Sequence, residues 1–323
     1  MKKIIYPITT ILLVTAALNL SSCLKDSKYY VNVSQGAPLV ELPLEARNLA
    51  GNLVPEALPI SSTPQVVQVA VNLAYAKTLS SPVTVTLAVD PAAVAAYNHA
   101  NGLDTGGNVP YVLLPAADYS VPSYQVTIPA GQHLVFLNIN VNTSLVDPSG
   151  LFILPIKIVD GGGQQISNYN ELLLSVGAKN QYDGVYTVTG TLSDNTTATI
   201  TGAYPETVYL ETSSASSDGF YDPNIGFGHA ISTSSGPSYY ASFAPVFTFS
   251  GSTITSVTNY YGQFSGSHLR SAVLAAGGVN KYTTGSPGQL GSVFQVTYIM
   301  DQGNPGVPRT TFVETFTYQG ARP

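Results

Sequence analysis

The sequence predicts an all-β protein of two domains, and three observations carry the prediction. Apolar residues recur at every second position in one short segment after another, the periodicity of strands with one buried face. Only 9% of residues are charged, against a usual quarter or so, and Gly, Ser, Thr, Asn, Gln and Tyr supply the polar surface instead. A single segment reads as a convincing helix. The first domain is expected to be a β-sandwich and the second a small antiparallel β-barrel-like domain.

The chain opens with residues 1–22, where Lys2 and Lys3 precede an apolar run from Ile4 to Leu20 and the small pair Ser21-Ser22. That is the build of a secretory signal. Cys23 follows at once and is the only cysteine of the sequence. Leu20-Ser21-Ser22-Cys23 resembles the lipobox of bacterial lipoproteins, which implies that the Cys23 thiol carries a diacylglycerol. An ordinary signal with a chance cysteine is the alternative. A spanning helix fits less well, because the run is short, holds Pro7 and Asn19, and ends without a basic cluster. Residues 23–34 read as a tether, ~35 Å long when extended. Within it Lys25-Asp26 is similar to a reduced form of the charged signal that sends some Bacteroidetes lipoproteins to the cell surface. The expectation is therefore a lipid-anchored protein of the outer membrane, displayed outward.

Residues 35–177 form the predicted sandwich. Val67, Val69, Val71, Leu73 and Tyr75 alternate in Gln65–Tyr75, and Val83, Val85, Leu87 and Val89 do so in Pro82–Val89. Asp90-Pro91 then opens the one helix, Asp90 as cap and Pro91 at the first position, and Asn101-Gly102 ends it. Further strands are expected at Tyr124–Ile128, around Val135–Val141, at Phe152–Ile158 and at Leu172–Val176. Seven or so short strands at this spacing suit a sandwich. The series VTVTLAVDPAAVAAYNHANG, YVLLPAADYSVPSYQVTIPAGQ and FILPIKIVDGGGQQISNYNELLLSV resembles the domain-of-unknown-function 1735 family, the immunoglobulin-like N-terminal module of many Bacteroidetes surface lipoproteins. The resemblance implies a setting beside carbohydrate-use machinery and no catalytic residue.

Residues 178–323 form the second domain, entered through the polar joint Lys179–Gly184. Strands are expected at Gly184–Gly190, Thr197–Thr201, Thr207–Thr212, Tyr239–Phe249, Thr253–Tyr261, Val293–Asp301 and Arg309–Tyr318. A meander of about eight strands whose last can return to the first suggests a small closed barrel. A second sandwich is the alternative. The opening Tyr-Asp-Gly-Val-Tyr is similar to barrel-like domains attached to this lipoprotein family. Ser213–Ser238 and Ser265–Gly291 are weakly patterned and read as long, functional loops.

Several chemistries find no motif. The net charge of −6 becomes −8 once Lys2 and Lys3 leave with the signal, and no basic cluster remains to bind nucleic acid. His99, His133, His229 and His268 are scattered, with no zinc spacing. Asp218, Asp222 and Asn224 match no calcium loop. Gly161-Gly162-Gly163 and Gly226-Phe227-Gly228 open no helix for a phosphate, and Ser234-Ser235-Gly236 is no nucleophile elbow. Glycoside hydrolysis usually needs two carboxyl groups a fixed distance apart, and this chain has few acids and lacks the clustered-acid strand motif of the hydrolases sometimes fused to the module it resembles. A non-catalytic protein with no cofactor is expected.

Tyrosine is the remaining lead. Sugars lay their C–H faces on aromatic rings while their hydroxyls meet amides and carboxylates. Neighbours on a strand face opposite ways, so one ring of Tyr239-Tyr240 and one of Tyr260-Tyr261 should lie outside the barrel core. Tyr221, Asp222 and Asn224 on the long loop would supply the rest of a glycan site. The expected role is capture of glycans for a neighbouring importer or hydrolase. The alternative is an assembly or adhesion module that binds a protein partner and no sugar. The absence of Trp weighs against sugar.

Overall fold

The structure is a computed structural model that describes residues 36–47, 52–263, 269–303 and 307–322. The signal, Cys23, the tether and His268 lie outside the described residues. The N-terminal strands are β1 (Leu39–Glu41), β2 (Leu53–Pro59), β3 (Gln65–Ala74), β4 (Val83–Val89), β5 (Val112–Leu113), β6 (Tyr119–Ser120), β7 (Gln125–Ile128), β8 (Leu134–Val141), β9 (Phe152–Asp160), β10 (Gln165–Ile166) and β11 (Glu171–Lys179). They form two sheets, ordered β10-β1-β3-β8-β6 and β2-β11-β9-β4-β7, with β5 added beside β9. The alternating residues of β3 and β4 point inward: Val67, Val69, Val71, Leu73, Val83, Val85 and Leu87 are buried in one core shared by both sheets.

The helix runs Ala92–Ala100, and Asp90 Oδ1 accepts the Ala92 N–H at 3.1 Å, so Asp90 caps it as expected. Its Ala93 and Val94 pack with Ile153 and Leu173 on the outer side of the second sheet. That cover explains why β9 departs from alternation, with Phe152 to Ile156 buried in an unbroken run. Asn98 fixes the following segment by exchanging two hydrogen bonds with the Tyr111 backbone, at 2.7 and 3.0 Å.

The second domain contains β12 (Gly184–Asp194), β13 (Thr201–Gly202), β14 (Glu206–Ser214), β15 (Ser217–Tyr221), β16 (His229–Thr233), β17 (Gly236–Tyr240), β18 (Pro245–Ser250), β19 (Thr253–Asn259), β20 (Arg270–Leu274), β21 (Lys281–Thr284), β22 (Val293–Gln302) and β23 (Val307–Gly320). β12 pairs with β23, so the last strand returns to the first and the sheet closes. β20 and β21 share one edge of β22 and together fill a single place, which leaves eight positions round the barrel. β13, β16 and β17 form a separate three-stranded sheet, and Tyr240 and Ile231 from it pack in the barrel core.

Ser213–Ser238 and Ser265–Gly291 are therefore not long loops. The first holds β15, β16 and most of β17; the second holds β20 and β21. Their Ser-, Thr- and Gly-rich outer faces hide the alternation, and Asp218 and His229 stand at inward positions where an apolar residue would have marked a strand. Tyr239–Phe249 is two strands broken at Ala241–Ala244, and Thr197–Thr201 is mostly turn. The strand beginning at Thr253 stops at Asn259, short of both tyrosines.

Aromatic rings fill the barrel. Tyr186, Phe220, Phe243, Phe247, Phe294, Tyr298, Phe312 and Phe316 are all fully buried. Phe294 stacks on Phe316 at 4.5 Å and Tyr298 on Phe312 at 4.6 Å. One seam lacks a regular ladder. Between β19 and β20 the side chains of Gln263 and Asn259 stand in for it: Gln263 Oε1 accepts the N–H groups of Asn259 and Ala272, Gln263 Nε2 donates to Ala272 O, and Asn259 Nδ2 donates to Arg270 O.

The joint between the domains is tied down. Asn180 receives the Tyr182 N–H at 2.8 Å and donates to Asp218 Oδ2 at 2.8 Å and to Ser214 O at 3.0 Å. Arg322 closes on the same place, holding Asp183 through both carboxylate oxygens at 3.0 Å and Glu211 at 2.8 Å. The two hydrophobic cores stay separate on either side.

Two predictions follow from the seam and the joint. Gln263→Ala removes three hydrogen bonds to strand backbone and should lower stability by about 2 kcal/mol in urea unfolding, without changing the strand content seen by circular dichroism. Burial pushes the Asp218 carboxyl up to about 8, against the Asn180 hydrogen bond and with help from the Asp183 charge. The folded protein thus keeps a proton that the unfolded chain releases near pH 4, and stability falls as pH rises between about 4 and 8. Asp218→Asn should flatten that slope in melts across the window; a slope equal to the parent's would exclude Asp218 as its source.

Candidate functional site

The filled barrel leaves its outer wall as the place for a ligand, and one part of that wall is aromatic. Tyr209 on β14 and Tyr221 on β15 are direct cross-strand partners facing outward, their rings parallel within 13° at 6.0 Å. Next along β15 on the same face is Gly219, with no side chain. Phe227 and Tyr260 fill the space: a Cβ at Gly219 would lie 3.3 Å from Phe227 and 3.9 Å from Tyr260. These two rings stack at 3.8 Å and 5°. Tyr221 meets Phe227 edge-on at 5.1 Å, and Tyr261 meets Tyr260 edge-on at 5.3 Å. Five aromatic rings thus form one connected surface.

The loop 222–228 presents it. Asp222 is buried and commits one carboxylate oxygen within the loop, Oδ1 accepting the Asn224 N–H at 2.7 Å and Asn224 Nδ2 at 3.1 Å. The Asp222 N–H donates to Gly226 O and the Gly226 N–H to Asp222 O, while Gly226 takes φ +79° to close the turn. The Tyr261 hydroxyl donates to Phe227 O at 2.6 Å and locks the loop to the wall. Tyr239 is 51% exposed and, with Ile225, stands over Gly228. Tyr260 is 48% exposed even though it rests on Phe227.

The structure thus gathers Tyr221, Asn224, Tyr239, Tyr260 and Tyr261 round one loop. It corrects one expected member. Tyr240 is buried, its hydroxyl donating to Asp194 Oδ2 at 2.6 Å, with Arg270 and Arg309 each over its ring; it cannot be a surface platform. Asp222 commits Oδ1 to its own turn and leaves Oδ2 out of those bonds. Tyr260 and Tyr261 both lie outward because they follow the strand rather than alternate within it. Sequence reasoning missed Phe227 and Tyr209; the Gly219 gap opposite an aromatic-bearing loop was the signal for the first.

The remaining acids near the surface are committed elsewhere. Glu211 is paired with Arg322. Asp194 is held well below the usual carboxylate range: burial opposes this, but hydrogen bonds from Thr196 and Tyr240 outweigh it. Asp218 faces the barrel interior and does not share a loop site with Asp222 and Asn224. Among the described residues one group has metal-ligand chemistry, Glu206, His229 and Glu314, and it lies inside the barrel.

A family model for an N-terminal domain matches residues 50–165, within the stretch that carries the sequence resemblance. No curated protein matches. A Bacteroides ovatus protein of unknown function is similar in structure, with a TM-score of 0.56 and 14% identity over 87% of this chain and 94% of that one. A multidomain B. ovatus protein that includes the domain of unknown function 1735 gives a TM-score of 0.46 and 16% identity over 83% of this chain and 90% of that one. A Bacteroides thetaiotaomicron protein described as an auxiliary nutrient binding protein gives 0.46 and 17% over 90% and 94%. The chain thus shares its fold with the first of these, the B. ovatus protein of unknown function.

Gly219→Val should push Phe227 and Tyr260 off the wall while leaving the interior alone. Chymotrypsin should then cut loop 222–228 several-fold faster than in the parent, with the barrel's melting little changed.

Proposed function

We propose that this chain is a non-catalytic, lipid-anchored protein of the outer-membrane surface that captures glycans on its tyrosine wall for a neighbouring importer or hydrolase. The observation that carries the reading is the Tyr260–Phe227 stack. It fixes an exposed ring in place before any ligand arrives, so binding there loses little side-chain freedom. Tyr239 and Tyr261 offer further rings, and each pairs an apolar face with a hydroxyl, the combination a sugar needs. The exposed Asn224 stands beside them. The inward or paired state of the acids supports a binding role over hydrolysis. Anchoring through Cys23 rests on the signal and lipobox pattern of the sequence.

A glycan array on the mature chain should give specific binders. Against the best of these, Tyr239→Ala, Tyr260→Ala and Tyr261→Ala should each weaken binding about fivefold, as expected for roughly 1 kcal/mol per ring. The triple variant should bind too weakly to measure. A folded triple variant that binds like the parent would place the site elsewhere, and an array without binders would favour a protein partner. Cys23→Ala should release the protein from the membrane fraction, and protease added to intact cells should remove the parent. Membrane retention of the Cys23 variant would refute the lipid anchor.

A further inference from the structure

We infer that Glu206, His229 and Glu314 form a binding site for one divalent transition-metal ion, with zinc the probe of choice, at the place where the small three-stranded sheet meets the barrel. Glu206 opens β14, His229 opens β16 and Glu314 lies in the middle of β23. Their ligand atoms all fall within 4.8 Å of one another. His229 is completely buried and Glu314 nearly so.

The imidazole is already oriented as a ligand. His229 Nδ1 lies 2.9 Å from Ala230 O and donates to it, which leaves Nε2 as the nitrogen that faces the carboxylates. Glu314 is oriented as well: the Tyr204 hydroxyl donates to its Oε1 at 2.5 Å and the Tyr298 hydroxyl to its Oε2 at 2.9 Å. Nε2 lies 2.7 Å from Glu314 Oε1. Two lone pairs cannot face each other at that distance, so a positive charge belongs between them. A proton would serve His229 and Glu314 alone.

Glu206 decides between the two cations. Both of its carboxylate oxygens are shut off from solvent and meet no hydrogen-bond donor. Burying a polar group without a partner is costly, and a proton held between the other two reaches it only through the charge on His229, with no bond to either of its oxygens. A divalent ion answers all three groups at once, since two carboxylates and a neutral imidazole carry a charge of −2. One nitrogen and two carboxylate ligands suit zinc and leave a fourth position. Donors on tetrahedral zinc stand ~3.3 Å apart, so the His229–Glu314 contact opens by ~0.6 Å on loading.

The test uses the mature chain, stripped with a chelator, unfolded in urea and refolded with or without one equivalent of zinc, so that the closed sheet cannot hide the site. After gel filtration, elemental analysis should find one zinc per chain, and the zinc-loaded protein should melt higher than the stripped protein. Glu206→Gln, which keeps the shape and removes the charge, should lower zinc affinity at least tenfold in calorimetric titration while circular dichroism stays unchanged. His99→Ala removes the exposed His99–Asp104 pair and should change nothing. No zinc retained after refolding, full retention by Glu206→Gln, or loss on His99→Ala would each overturn the site.

Discussion

Everything in the second domain depends on the barrel being filled with rings. Eight fully buried aromatic side chains pack its interior. Each polar group that enters this interior therefore needs a partner from the protein itself. Glu314 takes hydrogen bonds from Tyr204 and Tyr298; Asp194 takes them from Tyr240, Thr310 and Arg309; Asp218 takes them from Asn180 and Thr212. Glu206 stands apart from that pattern, which is why it weighs so much.

The same crowding explains the outer wall. With the inward positions taken by large rings, the strands show their opposite faces to water, and most carry Thr and Ser there. The exception is the patch where Tyr209, Tyr221, Phe227, Tyr260 and Tyr261 support one another. Gly219 gives it room, because a Cβ at that position would already crowd Phe227 at 3.3 Å. The N-terminal sandwich follows a different economy. Its small β-branched core residues pack between two sheets, and a helix covers what the second sheet leaves apolar on its far side.

Much of this was legible in the amino-acid order, and what was not has physical reasons. Alternation located the long strands of both domains, and Asp90-Pro91 marked the helix. The rule that strand neighbours face opposite ways separated exposed Tyr239 from buried Tyr240, but it could not tell which ring was which. β15 and β16 were invisible because a buried acid or histidine stands where an apolar residue would mark the period, and β20 and β21 because four or five residues are too few to show one. The seam closed by Gln263 and Asn259 left no trace either, since side chains that replace a ladder obey no spacing. His229, Glu206 and Glu314 meet only because three distant strands are brought together by closure of the sheet.

The pairing of β12 with β23 has a further consequence. A barrel whose first and last strands are neighbours begins and ends beside one point, and Asn180 and Arg322 mark that point. The domain's two ends therefore share one stem. Recombination at the stem moves the whole barrel, with its wall and its interior, and strands no strand of it in the module left behind. Such a domain is a unit of exchange, able to be carried by one module or another with its own core intact.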